Sequence, residues 1–284
     1  MSLTTSRPAD HGKRSSATRA RRRGWGALPT WLRLGILALV LIGAWQAYVT
    51  LSGVDPLLMV GPADVARHLA SGWVDGTILN ATLTTLRVLG ISFVIGALAA
   101  IALTMWAHWT KIGSDVLTFT GAILSPVPGL AILPLAMLWF GISSTALIVV
   151  LLNAVIWPIA YNLRTGVETI SPTIRAVTRN IGLRGLREVV AVMLPGSLPY
   201  MLAGFRAAWA FGWRTIVGAE LVFGASGKGG GIGFYLNQQR FFLEVANIFA
   251  GLATIALVGV LLEWVFSLIE RVTVRQWGMQ VSSK

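Results

Sequence analysis

Six stretches of this chain are apolar over about 20 residues each, the length a helix needs to cross a bilayer at 1.5 Å per residue. They are Leu32–Leu51, Leu83–Trp106, Val116–Phe140, Thr145–Arg164, Met201–Phe223 and Ala246–Ile269. In hydrocarbon no water is at hand for the backbone, so each N–H and C=O must be satisfied within the segment, which leaves the α-helix. The composition agrees. Of 284 residues 55% are hydrophobic and 12% charged, and the mean hydropathy is +0.72. That is too little charge to coat a water-soluble surface. The sequence predicts an all-α integral membrane protein of about six transmembrane helices, where length alone would have suggested soluble domains.

The formal charge is +12, a balance that in a soluble chain points to nucleic acid. Here its placement follows membrane topology. One face of the predicted bundle receives Lys111, then Arg175, Arg179, Arg184 and Arg187, then Arg271, Arg275 and Lys284, together with the N-terminal tail. The other receives Arg67, Lys228 and Arg240. Basic residues gather in cytoplasmic loops, so both termini are predicted to be cytoplasmic and no nucleic-acid partner is needed. Residues 1–30, with seven Lys and Arg and little apolar content, read as a disordered cytoplasmic tail that sets the orientation of the first span. Arg21-Arg22-Arg23 hints at a twin-arginine signal, but the apolar stretch behind it is too long for a cleaved signal and reads as a retained span. Residues 31–284 form the membrane domain. Residues 52–81 form an outer loop with a short interfacial helix at Pro62–Trp73, and residues 224–245 a Gly-rich outer loop. No internal repeat is seen.

Several chemistries are excluded. There is no cysteine, hence no thiol catalysis and no thiolate metal site. The histidines are His11, His68 and His108, none spaced as a zinc pair. No metal and no cofactor are expected. The run Gly224-Ala225-Ser226-Gly227-Lys228-Gly229 is not a phosphate loop: Gly229 stands where Ser or Thr is required, and Val222 where the first glycine is required.

Polar and helix-breaking residues inside spans mark the candidate path. The third span holds Ser125-Pro126-Val127-Pro128-Gly129 and Pro134. Proline frees backbone carbonyls and bends helices, and broken helices in membranes line solute routes or pack as kinks. The fifth span carries Arg206, Arg214 and Glu220. A charge at mid-bilayer costs about 2.5–3.5 kcal/mol on insertion scales, so it is expected to face the bundle interior. Arg214 lies nearest the middle and suits either an anionic solute or an internal ion pair. Arg206 and Glu220 lie near the two ends, from which they can reach water. Pro126, Pro128, Arg214 and Glu220 are the candidate path residues. The tryptophans read as interface anchors.

The longest inner loop, residues 165–198, carries Ser171-Pro172-Thr173-Ile174-Arg175-Ala176-Val177-Thr178-Arg179-Asn180-Ile181-Gly182 and continues to Met193-Leu194-Pro195. Pro172 suits a helix start and Gly182 a stop. A second helix is predicted from Arg184 to Met193, ended by Pro195. Two short helices about a glycine make a knob that fits a groove on a partner.

Gly182 followed by Leu194-Pro195 resembles the coupling loop of binding-protein-dependent ABC importer permeases, written E-A-A, three residues, G, nine or more residues, then a hydrophobic-x-L-P ending. Flanking segments resemble the nitrate/sulfonate/taurine/bicarbonate subfamily. They are Leu138-Trp139-Phe140-Gly141-Ile142, then Leu194-Pro195-Gly196-Ser197-Leu198-Pro199-Tyr200 with Ala203-Gly204-Phe205-Arg206, then Gly218-Ala219-Glu220-Leu221 and Gly231-Ile232-Gly233. The similarity runs over residues 55–275, with a family core at 75–272. It implies the type I ABC importer permease fold, in a bacterial inner membrane. It implies an ATPase partner in two copies, which binds the ATP, a second permease copy, and an extracytoplasmic solute-binding protein. It also implies a small oxyanion as solute. The coupling residues it implies are Arg175, Ala176, Val177, Thr178, Arg179, Gly182, Leu194 and Pro195. One departure is clear: Ala176-Val177-Thr178 stand at the E-A-A positions, so the acidic contact is absent and Arg175 or Arg179 is expected to serve instead. A self-sufficient secondary transporter or channel is the competing reading. It would prefer repeated halves and paired intramembrane carboxylates, whereas the spans hold Glu220 and Glu263 alone. A membrane-embedded enzyme has no catalytic constellation to support it.

Overall fold

The computed structural model describes residues 28–224 and 230–273, with Arg179 described by its backbone only. The basic tail through residue 27, Lys228, Arg275 and Lys284 lie outside the described residues. Twelve α-helical elements and no strand are present among the described residues. They are α1 (Thr30–Ser52), α2 (Pro62–Val74), α3 (Thr77–Trp109), α4 (Lys111–Leu124), α5 (Gly129–Phe140), α6 (Ser144–Glu168), α7 (Pro172–Asn180), α8 (Leu186–Glu188), α9 (Leu194–Gly196), α10 (Leu198–Gly224), α11 (Ile232–Phe241) and α12 (Val245–Thr273). Helices α1, α3, α6 and α12 are each long and apolar enough to cross a membrane alone. Counting each of two bent pairs as one span brings the number to six: α4 with α5, and the Leu186–Gly196 segment with α10.

Helix α6 is the centre. It packs mainly against α3 and α10, with α5 closing a further side, and half of its apolar window is buried, against none of α1. Lipid is as apolar as leucine, so helices in a bilayer associate through close packing of small residues rather than by escape from water. The buried set fits: Ala97, Ala100, Ala146, Ala160, Ala208, Ala219 and Ala250 lie among Leu89, Leu151, Ile159 and Ile216. Helix α1 stands apart. Its links are the Gln46 Oε1 that accepts from the Ala63 N–H at 3.5 Å and a Trp45–Phe249 ring contact at 5.6 Å.

The predicted third span is not one helix. It breaks between α4 and α5, which meet at 97°. Pro126 and Pro128 remove two N–H donors, and each disfavours helical backbone at the residue before it. Pro134 and Pro158 sit inside α5 and α6. Two further differences come from the loops. The segment expected to be a Gly-rich loop at 224–245 contains α11, a ten-residue helix packed on α10 and α12. The second helix of the long loop starts at Leu186 rather than Arg184. It does not stop before Pro195 but runs through a π-helical turn, Val189–Met193, into α9. Pro195 has no N–H for the i−4 carbonyl, and the chain widens one turn ahead of it: the Leu194 N–H reaches the Val189 carbonyl. The following turn at Ser197 bends the chain by 77° into α10.

Helices α2 and α11 gather at one end of the bundle and α7 at the other. Thr85, near the start of the 33-residue α3, touches α11 through the Ile232 N–H at 2.8 Å. Met105, near its end, packs with Val189 and Met193 below α7.

Candidate functional site

At the α7 end the chain builds a knob. The Ser171 Oγ accepts from the Ile174 N–H at 3.3 Å and opens α7. At the far end the Leu183 N–H bonds back to the Thr178 carbonyl at 3.1 Å, with Gly182 between them at φ 75°. That left-handed turn suits glycine. Thr178 is buried, its hydroxyl donating to the Ile174 carbonyl at 2.8 Å. Arg175 turns toward the bundle and gives an N–H to the Val167 carbonyl at 2.6 Å. Ala176, Val177, Asn180 and Gly182 face outward. Ile174, Val177 and Ile181 are each at least half exposed, and their i, i+3, i+7 spacing lays one apolar stripe along the outer side of α7. Leu186 and Val190 of the following segment are exposed as well. Beneath the knob, Val189 and Met193 lock into Met105, Leu163, Val167 and Ile170. Of the sequence-predicted loop residues, Ala176, Val177 and Gly182 are thus exposed on the outer side of the knob. Leu194 and Pro195 form the base of the knob, and the Arg179 side chain lies outside the described residues.

A second site lies at the α4–α5 break. Pro126, Pro128 and Arg214 line one cavity of about 390 Å³ with Ser125, Asn153, Trp157 and Phe211. Arg214 sits sixteen residues into the 27-residue α10 and lies over the Phe211 ring at 5.6 Å. Among the described residues no carboxylate pairs with it. The Asn153 amide donates to the Val127 carbonyl at 2.9 Å and accepts from the Trp157 indole N–H at 2.9 Å. One carbonyl at the proline break is therefore capped. Asn153 and Trp157 were not singled out from sequence. An asparagine within an apolar span was the available signal.

Glu220 is not in that cavity. It does not reach water as its position near a helix end suggested, being 4% exposed. Its carboxylate accepts from the Thr85 hydroxyl at 2.8–2.9 Å and from the Gly233 N–H at 3.0 Å, while the Thr85 Oγ accepts from the Ile232 N–H at 2.8 Å. Glu220 also lines a separate cavity of about 200 Å³ with Thr84, Ser143 and Ser144. Thr85 carried no sequence signal, because one threonine in a helix does not announce its partner. Outside the spans, Asp75 is held below the usual carboxylate range by the Thr77 backbone N–H and then by its hydroxyl.

Arg206, placed by sequence near the end of its span, is partly exposed and also paired. Its Nε donates to Glu263 at 2.8 Å and its Nη1 lies 3.6 Å from Glu270, so the three charges tie α10 to α12. We expect Arg206→Met to lower the melting temperature of the purified chain, since it leaves Glu263 without a counter-charge at membrane depth. Adding Glu263→Gln should recover most of the loss. A double variant as unstable as the single one would show that the pair does not act as a unit.

These elements define a polytopic helical membrane protein with a broken third span and an exposed knob between its spans. Comparison with known proteins is consistent with that class. Residues 80–275 match the family model described as binding-protein-dependent transport system inner membrane component. The chain is 30% identical over 237 residues to the taurine transport system permease protein of Escherichia coli, covering 82% of this chain and 84% of that one. It is 25% identical over 241 residues to a putative aliphatic sulfonates transport permease protein of Bacillus subtilis, covering 85% and 86%. It is 25% identical over 252 residues to a nitrate import permease protein of Synechocystis, covering 87% and 90%. The chain belongs to the family of binding-protein-dependent transport system inner membrane components. It is accordingly an inner-membrane permease component of the ABC transport class, and a transport component is not in itself an enzyme.

Proposed function

We propose that this chain is the membrane-spanning subunit of an ATP-driven importer for a small oxyanion, with both termini and the α7 knob in the cytoplasm. The observation that carries this reading is the knob itself. A helix with an outward apolar stripe, seated on a buried base and closed by a left-handed glycine, is built to enter a groove rather than to face water. The chain has no nucleotide-binding loop of its own, so the groove belongs to an ATPase subunit, with one copy under each of two permease chains. The second permease copy supplies the other half of the path. A solute-binding protein delivers the solute at the α2–α11 end. Binding and hydrolysis of ATP at the partner move the knobs, and the movement tilts the spans between outward- and inward-facing states. The oxyanion is supported by the taurine, sulfonate and nitrate permeases to which the chain is similar.

The test is affinity purification of the tagged chain in mild detergent. An ATPase subunit is expected in equal amount, and it should be lost when residues 172–190 are deleted. A chain that purifies alone, and moves solute into liposomes without ATP, would overturn the reading in favour of a secondary transporter.

A further inference from the structure

We infer that Arg214 and the walls of its cavity form a solute subsite for organic monoanions, with the guanidinium holding the anionic head and Phe211 and Trp157 the apolar body. The inference rests on the proposed anion transport and adds to it the residues and the shape of the solute.

The argument begins with charge. A cation in the middle of a span is costly unless it meets a counter-charge, a water-filled path or an anionic guest. Arg206, two turns away on the same helix, has its counter-charges in Glu263 and Glu270. Arg214 has none among the described residues, although it is exposed. It opens on a cavity of about 390 Å³ and borders, on another side, one of about 200 Å³ where Arg206 and Glu263 already pair with each other. An unpaired guanidinium in a low-dielectric cleft concentrates anions there, and its planar fork matches a sulfonate or carboxylate.

The rest of the lining favours the same guest. A backbone carbonyl would repel an anion, and the Val127 carbonyl at the proline break is already occupied by the Asn153 amide. That amide oxygen in turn is occupied by the Trp157 indole N–H, so neither of these two acceptors is left facing the solute unpaired. Gly129 and Leu130, the first residues of α5, also line the wall, adding the positive end of a 12-residue helix on the same side. The Ser125 hydroxyl makes no hydrogen bond among the described residues and is free to donate. Phe211, Trp157 and Leu130 make the remaining surface apolar. A bare inorganic anion would use the guanidinium and waste that surface. An anion with a compact apolar body uses both.

The absence of cysteine makes the test clean. Ser125→Cys places one thiol in the cavity of the full chain, in its membrane. The thiol is labelled with a methanethiosulfonate carrying a sulfonate and, in parallel, with one carrying a trimethylammonium. The anionic reagent should be favoured, and Arg214→Gln should lower the anionic-to-cationic rate ratio about tenfold. Arg214→Lys should leave the ratio within about twofold, because the charge is kept. Millimolar benzenesulfonate should slow labelling in the Arg214 chain and in neither reagent arm of the Arg214→Gln chain. Methyl phenyl sulfone, of similar shape but neutral, should not protect. A ratio unchanged by Arg214→Gln, a thiol that neither reagent reaches, or equal protection by the sulfone would each overturn the assignment. Protection by nitrate equal to that by benzenesulfonate would overturn its organic part. None of these results depends on whether an ATPase co-purifies, so failure here is separable from failure of the importer reading.

Discussion

Replacing Gly182 with tryptophan should reduce solute uptake by more than about tenfold while the chain still inserts in the membrane, the loss expected when the centre of an interface forfeits about 2 kcal/mol or more. Gly182 closes α7 at φ 75°, and a Cβ built there meets nothing within 4 Å. The folded chain therefore has room for the indole, and the penalty within the chain is the backbone strain of a left-handed residue, about 1–2 kcal/mol. A partner docked on Val177 and Ile181 as proposed would be displaced by the indole. The measurement is uptake by cells expressing the variant, beside the amount of protein in the membrane fraction. Normal uptake at normal amount would remove the knob as a docking element.

Glu220→Ala should cost the chain more stability than any single change at the knob. It strands the Gly233 N–H, at about 1–3 kcal/mol for a buried donor left unsatisfied, and leaves the Thr85 hydroxyl with only the Ala81 carbonyl at 3.3 Å. Glu220→Gln keeps the shape and one acceptor oxygen, and should fall between. Gly233→Ala should approach the alanine variant by another route, since its Cβ would lie 2.5 Å from the Val217 carbonyl oxygen, which is backbone and cannot swing away. Thermal unfolding in detergent reads all three. Protease cutting within α11 should rise in the same order, because the clasp joins the first turn of α11 to α3 and α10. Equal melting temperatures for the alanine and parent chains would show that the clasp is not a stabilising contact.

The clasp also explains why α11 was missed. Its residues, Ile232 to Phe241, are mixed in polarity and follow a glycine run, so the local pattern reads as a loop. What makes it a helix is packing against α10 and α12, a carboxylate thirteen residues away that binds the Gly233 amide, and a threonine hydroxyl of α3 that binds the Ile232 amide. The second helix of the knob shows the same limit. Proline predicts that a regular helix stops, and it cannot predict that a π-turn lets the chain continue through it. Arg175 and Arg206 are parallel cases. Both were visible as charges, while the Val167 carbonyl and the Glu263 carboxylate that engage them come from a bend and from a neighbouring helix.

The sequence by itself determined the all-helical membrane class, the six apolar stretches, the prolines that disturb the third span and the glycine that closes α7. Each is a local property: the length of an apolar run, a missing N–H, a backbone angle glycine alone adopts cheaply. Only the tertiary structure decided that Pro126, Pro128 and Arg214 share one cavity while Glu220 belongs to another. Pro128 and Arg214 are separated in the chain by five helical elements, α5 to α9. A bilayer supplies no hydrophobic bias to say which face of an apolar helix turns inward. That choice is made by close packing and by which buried polar groups find one another, and neither can be read along a single helix.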